Sequence, residues 1–241
     1  MKVLGVIPAR YESTRFPGKP LALLQGKPMI QHVYRGAGES TKLYDLVVAT
    51  DDTRIFEAVK QFGGKPVMTS RDHINGTSRC IEVASLQEDI DWVINIQGDE
   101  PMIRGYLIDE IIRLIEYHPE ASIITLVRRM EYSSEAMNPN IVKCVFDLTG
   151  KAMYFSRSPI PYYRTNQEKI YYQHLGIYAY KKNILVNLNS LPPAPLETAE
   201  SLEQLRWLER GLIIQTGITE YVAHGVDTPE DIIKVERLMK E

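Results

Sequence analysis

The sequence predicts an α/β protein built on a mostly parallel sheet that helices cover on both faces, a three-layer α/β/α sandwich. Short apolar runs alternate with segments of helical periodicity through the first half of the chain. That alternation is typical of parallel sheets. Around residues 130–185 the pattern changes to consecutive strands, which predicts an antiparallel extension in the middle of the chain.

Five short apolar runs, each bounded by polar or turn residues, are predicted as buried strands. They are Val3–Ile7, Leu46–Ala49, Pro66–Met68, Trp92–Ile96 and Ser122–Val127. A helix is expected between the second and third runs, because apolar residues recur there at i, i+3, i+4 and i+7 from Ile55. Asp52 is its predicted N-cap, and a glycine pair follows its last turn.

The antiparallel extension is predicted from two strands, Val142–Phe146 and Ala152–Phe155, which flank a turn at Asp147–Gly150. A long strand rich in tyrosine, Tyr171–Tyr180, follows them. We expect residues 1–241 to form a single domain, in which residues of approximately 130–200 make a smaller lobe.

Two helices are predicted near the end of the chain. One covers Glu200–Arg210, after a proline-rich stretch. The other has a clear start, with Thr228 as N-cap, Pro229 at the first helical position and Asp231 completing a pair like a capping box.

Composition and charge narrow the functional classes. The chain has 241 residues, of which 44% are hydrophobic and 24% charged, and its formal net charge is −3. This balance argues against broad nucleic-acid binding, which needs a strongly basic face.

The apolar run Val3–Ile7 is too short for a signal peptide, and nothing approaches the ~20 apolar residues of a membrane span. Two cysteines without metal-site spacing are typical of a reducing compartment, so we expect a cytoplasmic protein with no membrane insertion.

The loop after the first predicted strand, residues 8–20, concentrates positive charge. It matches neither the dinucleotide fingerprint GxGxxG nor the phosphate-binding motif GxxxxGK[ST]. It does carry Arg10, Arg15 and Lys19 close to a strand end, where ligands bind in open α/β sheets. Arginine and lysine there suit a polyphosphate. The alternative is a solvated loop with ordinary surface cations.

Acidic side chains follow another predicted strand. Asp99 and Glu100 come soon after Ile96, and a second isolated aspartate, Asp227, precedes the last helix. Carboxylates in such positions commonly hold magnesium beside the phosphates of a nucleotide. Each aspartate is also explained as a turn or capping residue.

Ordered sequence blocks along the full length of the chain point to one family. They are Ile7–Arg10, Arg15–Pro20, Val48–Asp51, Gln97–Pro101, Tyr154–Arg157, His174–Tyr178, Leu202–Arg206 and Gly225–Asp231. In the first two blocks the chain resembles the sugar nucleotidylyltransferases, and from end to end it is similar to the 3-deoxy-manno-octulosonate cytidylyltransferases, the CMP-Kdo synthetase family.

The resemblance implies a fold like that of the nucleotide-diphospho-sugar transferases, a homodimer, and magnesium-dependent transfer of CMP from CTP to Kdo for lipopolysaccharide biosynthesis. It implies that Asp99 and Asp227 hold Mg²⁺ and that they are catalytic together with Lys19. The nucleotide-binding residues that it implies are Pro8, Ala9, Arg10, Ser13, Arg15, Lys19 and Gly76. The sugar-binding residues that it implies are Arg79, Gln97, Arg157, His174, Glu200 and Glu203.

The sequence leaves alternatives open for two of these residues, for the substrate and for the function. Taken alone, a histidine placed like His174 is more often structural than functional, and Arg157 is also explained as a surface residue. The family usually carries an acidic residue where this chain has Ser78, so sugar preference could differ, and an amino-Kdo or sialic-like acid is an alternative substrate. A non-enzymatic nucleotide-binding module is the more distant alternative.

Overall fold

The computed structural model describes residues 1–12, 16–165 and 167–240. The chain divides into two compact units. The first unit comprises Met1–Ile112, Lys181–Val186 and Ala223–Glu241, and the second comprises Arg113–Tyr180 and Asn187–Val222. None of the helices among the described residues is long and apolar enough to cross a membrane.

Four parallel strands form the centre of the first unit, in the order β6-β1-β4-β5. They are β1 (Val3–Ala9), β4 (Asp45–Thr50), β5 (Pro66–Met68) and β6 (Trp92–Asn95). Each contains one of the predicted apolar runs or most of it. A separate antiparallel hairpin consists of β2 (Leu23–Leu24) and β3 (Lys27–Pro28).

The register of these strands brings their carboxyl ends to one edge of the sheet. Ala9, the last residue of β1, lies opposite Thr50, the last residue of β4. Thr50 in turn lies opposite Met68 at the end of β5. The segments that follow the strands therefore emerge side by side, which is where ligands bind in open α/β sheets.

Helices follow these strands with the start signals that the sequence predicts. The Asp52 side chain accepts a hydrogen bond from the Arg54 backbone N–H and so caps α2, and Thr228 precedes α8 with its N–H donated to Asp231 at 2.9 Å. The helices with all residues in this unit are α1 (Met29–Gly38), α2 (Thr53–Gln61), α3 (Gly76–Ser85) and α8 (Pro229–Leu238). Two more, α4 (Gly105–Tyr117) and α5 (Lys182–Leu188), begin in this unit and end in the second one.

The second unit contains the predicted antiparallel strands. Strand β7 (Ile123–Arg129) pairs in parallel with β11 (Ile214–Ile218) and antiparallel with β10 (Tyr172–Lys181). The predicted hairpin is formed by β8 (Lys143–Phe146) and β9 (Ala152–Ser156). The α/β class and the mixed sheet are therefore confirmed.

The predicted single helix over Glu200–Arg210 is wrong. The structure has two short helices, α6 (Pro195–Glu200) and α7 (Glu203–Leu208). They are separated at Ser201, whose φ of 52° is left-handed. A residue in that conformation ends an α-helix because it cannot continue the right-handed hydrogen-bond ladder.

Candidate functional site

Two other segments of the first unit approach the end of β1. A Cβ added to Gly98, in the loop after β6, would lie 2.6 Å from the Pro8 carbonyl oxygen. A Cβ added to Gly76, at the start of α3, would lie 3.3 Å from Pro8 Cγ. Glycine at these two positions therefore lets the loop after β6 and the first turn of α3 approach Pro8.

The cationic loop after β1 closes on itself. The Gly18 N–H donates to the Tyr11 carbonyl oxygen at 2.8 Å. The guanidinium of Arg54 lies over the Tyr11 ring, 3.3 Å from its centroid, and forms two hydrogen bonds with the Asp52 carboxylate. Those hydrogen bonds lower the pKa of Asp52. The described part of this loop is thus fastened at its base to the N-terminus of α2, while Arg10 is exposed.

Lys19 lies just after this closure, in a 3-10 helix over Lys19–Leu21. Its ammonium group donates to Asp99 Oδ2 at 2.8 Å and to the Val226 carbonyl oxygen at 2.7 Å. Asp227 Oδ1 is 3.4 Å from the same nitrogen. One lysine thereby joins two aspartates that are far apart in the sequence.

Backbone contacts fix the two aspartates independently of the lysine. The Val226 N–H donates to the Asp99 carbonyl oxygen at 2.9 Å, which fastens the segment before α8 to the loop after β6. The Asp231 carboxylate accepts from the Asp227 N–H at 3.0 Å. The hydrogen bond from the Asp227 N–H is the largest of the contacts that lower the pKa of Asp231. The capping residue of α8 therefore also orients Asp227.

The donor set at this site fits magnesium. No group of three or more histidine, cysteine or acidic side chains among the described residues is arranged to hold a metal ion. Magnesium, however, usually keeps several waters and takes only one or two protein carboxylates together with substrate phosphates. Asp99 and Asp227 offer two hard oxygen ligands, and their side chains are 33% and 50% exposed. They match that limited requirement and leave room for water and phosphate.

Arg79, a predicted sugar-binding residue, is held inside the first unit. Its guanidinium is 3.2 Å from Asp51 Oδ2 and hydrogen bonds to the Thr69 hydroxyl. Only 3% of the residue is exposed. The contact between Asp51 and Arg79 was not predicted from the sequence, because only the order of the strands brings these two residues together.

Ser78 has a structural role in the cap of α3 that the sequence analysis did not predict. Its N–H donates to Asn75 Oδ1 at 2.8 Å, and its hydroxyl donates to the Asn75 carbonyl oxygen at 2.9 Å. Asn75 is the N-cap of α3 and Ser78 is at N3, where the capping box usually has Glu or Gln. The departure from the family pattern at this position therefore lies within a helix cap.

Arg157 and Glu200, both predicted to bind sugar, contact each other in the second unit. The Glu200 carboxylate accepts from the Arg157 N–H at 2.9 Å and from the Ser156 hydroxyl at 2.6 Å. The Arg157 side chain donates to the backbone carbonyls of Glu200, Pro139 and Ser201. The Lys143 ammonium donates to the Arg157 carbonyl oxygen, and burial lowers the pKa of this lysine.

His174 lies in β10 among aromatic rings. Its ring is 4.9 Å from that of Phe155 and 5.1 Å from that of Tyr178. Its Nε2 is 3.1 Å from the Thr125 hydroxyl, which itself lies 2.8 Å from the Ile177 carbonyl oxygen. When the hydroxyl gives its one proton to that carbonyl, Nε2 carries the hydrogen of a neutral imidazole. Burial lowers the pKa of His174 to about 3.

The comparisons with known proteins agree with this architecture. The sequence profile of a family described as Cytidylyltransferase matches residues 4–218. The chain belongs to the cytidylyltransferase family. A 3-deoxy-manno-octulosonate cytidylyltransferase of Thermodesulfovibrio yellowstonii is 49% identical over 252 residues, covering 99% of this chain and 98% of the relative. One from Solibacter usitatus is 48% identical over 240 residues, covering 99% and 95%.

A solved structure extends the similarity to three dimensions. It is CMP:2-keto-3-deoxy-manno-octonic acid synthetase complexed with CTP. The two chains superpose with a TM-score of 0.96 at 45% identity, with 100% of this chain and 99% of that chain covered. The resemblance inferred from the sequence and the fold expected for it are both confirmed.

The predicted site residues of this cytidylyltransferase fall into three groups. The first unit brings together the end of β1, the start of α3, the loop after β6 and the segment before α8, with Pro8, Ala9, Arg10, Lys19, Gly76, Arg79, Gln97, Asp99 and Asp227. The second unit holds Arg157, His174, Glu200 and, at the start of α7, Glu203. Ser13 and Arg15 lie outside the described residues. The binding roles of all these residues remain predictions.

The low pKa of His174 predicts a specific pH dependence of stability. The unfolded chain takes up a proton on this histidine as the pH falls below about 6.5, whereas the folded protein does so only near 3. The free energy of unfolding should therefore fall between pH 7 and pH 5, by about 2 kcal/mol from this residue. His174→Gln should reduce that loss, with urea unfolding at both pH values as the measurement. An identical pH dependence in the variant would contradict the assignment.

Proposed function

We propose that this chain is a 3-deoxy-manno-octulosonate cytidylyltransferase, which transfers CMP from CTP to Kdo in a magnesium-dependent reaction and releases pyrophosphate. The observation that supports it most is the contact of Lys19 with both Asp99 and Asp227 beside the carboxyl ends of parallel strands. Family membership supports the same reaction, because the relatives at 44–49% identity carry this name.

In the proposed reaction, the anomeric hydroxyl oxygen of Kdo forms a bond to the α-phosphorus of CTP while the bond to the bridging oxygen of pyrophosphate breaks. The hydroxyl proton leaves to solvent. When bound, magnesium would offset charge on the triphosphate and lower the pKa of the attacking hydroxyl. Asp99 and Asp227 are the residues that would hold it.

The chain's own cations have the task of positioning the triphosphate. Arg10 is exposed directly after β1, and the Lys19 ammonium is next to the aspartates. Both can contact phosphate oxygens, and a cation near the leaving pyrophosphate stabilises the charge that develops on it. Arg15 and Ser13 are assigned to the same task from the sequence alone. Positioning and electrostatics then account for catalysis without a covalent intermediate.

Four further expectations accompany this function. The family resemblance implies that the sugar acid is recognised by Arg79, Gln97, Arg157, His174, Glu200 and Glu203, and we expect these roles. We expect a cytoplasmic enzyme, because Cys80 and Cys144 are both free and buried, as is typical of a reducing compartment. We also expect a homodimer, which light scattering of the purified protein would test, and no nucleic-acid partner.

The proposed function is tested by pyrophosphate release across nucleotides and sugar acids. CTP with Kdo should be the fastest combination, ahead of UTP or GTP with Kdo and of CTP with an amino-Kdo or a sialic acid. Faster turnover with another sugar acid would support the proposed reaction and show that Kdo is not the preferred substrate. Absence of release from every combination would favour a nucleotide-binding module instead.

Asp99→Asn and Asp227→Asn should each abolish most pyrophosphate release. Asparagine keeps the shape of the side chain but lacks the charge that a hard cation requires. Both variants should fold, because a partly exposed turn aspartate contributes little beyond local contacts. Activity is measured against magnesium concentration, with thermal unfolding alongside. Asp89→Asn, a change of the same charge at a side chain 87% exposed, is the control. Near-normal activity of either variant at low magnesium would remove that aspartate from the metal site.

A further inference from the structure

We propose that the Lys19 ammonium is an internal cation that occupies the aspartate pair and weakens divalent-metal binding until a triphosphate draws the lysine away. Metal and nucleotide would then load together. The inference rests on the proposed function, because it takes the aspartate pair as the metal site. It adds a second role for Lys19, as a competitor for the metal.

The ammonium contacts one oxygen of each of the two carboxylates that would hold the metal. Its nitrogen is 2.8 Å from Asp99 Oδ2 and 3.4 Å from Asp227 Oδ1. It is also the most enclosed member of the group, since its side chain is 16% exposed against 33% and 50% for the two aspartates. A divalent cation that approaches these oxygens therefore meets a positive charge already among them.

The arrangement allows the lysine to leave without disturbing the backbone. The main chain before Lys19 is fixed by the Gly18 hydrogen bond to Tyr11, and Pro20, directly after it, is buried. The side chain itself is a flexible four-carbon stem that ends in a point charge. It can exchange one set of anionic oxygens for another while its Cα stays in place.

A triphosphate is the ligand that would cause this exchange. It brings several negative oxygens to the loop that carries Lys19, and charge-assisted contacts to phosphate are stronger than neutral ones. When the ammonium turns to phosphate, both carboxylates are released to a metal that the phosphates also bind.

The test is the binding of Mn²⁺ alone, without nucleotide or sugar, followed by electron paramagnetic resonance of the free ion. Lys19→Met removes the ammonium and keeps a side chain of similar length. It should bind Mn²⁺ more tightly than the unmodified protein, by up to about fivefold, the upper end of the range expected for loss of a partly exposed ion pair. Lys19→Gln should behave in the same way, whereas Lys19→Arg should keep the weak binding.

Two controls separate this effect from general electrostatics. Lys27→Met removes the same charge from an exposed lysine eight positions along the chain, and it should leave Mn²⁺ binding unchanged. Adding Asp99→Asn to Lys19→Met should abolish the gain. Circular dichroism and thermal unfolding establish that each variant is folded.

The inference is overturned if folded Lys19→Met and Lys19→Gln bind Mn²⁺ no more tightly than the unmodified protein. It is overturned equally if Lys27→Met gives the same gain. Pyrophosphate release from CTP and Kdo by a protein that fails this test would refute the competition and leave the proposed function standing. If Lys19→Met binds Mn²⁺ more tightly but the unmodified protein has no transferase activity, the competition is supported and the proposed function is refuted.

Discussion

The meeting of Lys19, Asp99 and Asp227 at one edge of the parallel sheet is the constraint on which the proposed site depends. It joins residues that are 80 and 208 positions apart in the chain. A partly exposed ion pair contributes only ~0.2–1 kcal/mol to stability. The importance of the contact is therefore geometric, since it shows that the ammonium and the two carboxylates lie within reach of one ligand.

Backbone packing makes this contact possible. The parallel register brings the ends of β1, β4 and β5 to one edge. Gly98 then allows the loop after β6 to approach the Pro8 carbonyl, which brings Asp99 to the same edge. The Val226 hydrogen bond to Asp99 adds the segment before α8. The aspartates are thus positioned by main-chain contacts, and the lysine side chain is left with more freedom.

The predicted sugar-binding residues of the second unit have a different character. Arg157 directs its guanidinium to backbone carbonyls, and Glu200 accepts from Ser156 and from the Arg157 backbone. His174 is packed among aromatic rings with a pKa far below its ordinary value. A ligand that contacts these side chains would meet groups already held by protein hydrogen bonds, which favours precise orientation over adaptability.

The parts of this structure that depend on local signals could be predicted from the sequence. The apolar runs are strands, and Asp52 and Asp231 act in helix caps because capping is decided by neighbours in the chain. The strand-end position of Asp99 and the cations near β1 likewise followed from local patterns. The Val226 carbonyl as a ligand of Lys19, and Asp51 as the partner of Arg79, could not be predicted because strand order creates those contacts. The break at Ser201 was missed because nothing in its residue type requires a left-handed backbone.

The coupling energy between Lys19 and Asp99 in the ligand-free protein tests the central claim most directly. It is measured by urea unfolding of Lys19→Met, Asp99→Asn and the double variant, at low ionic strength. A direct contact in a partly buried site predicts a favourable coupling of about 0.5–1 kcal/mol. The same cycle between Lys19 and the distant Asp89 should give none. A coupling of zero between Lys19 and Asp99, with all variants folded, would contradict the account.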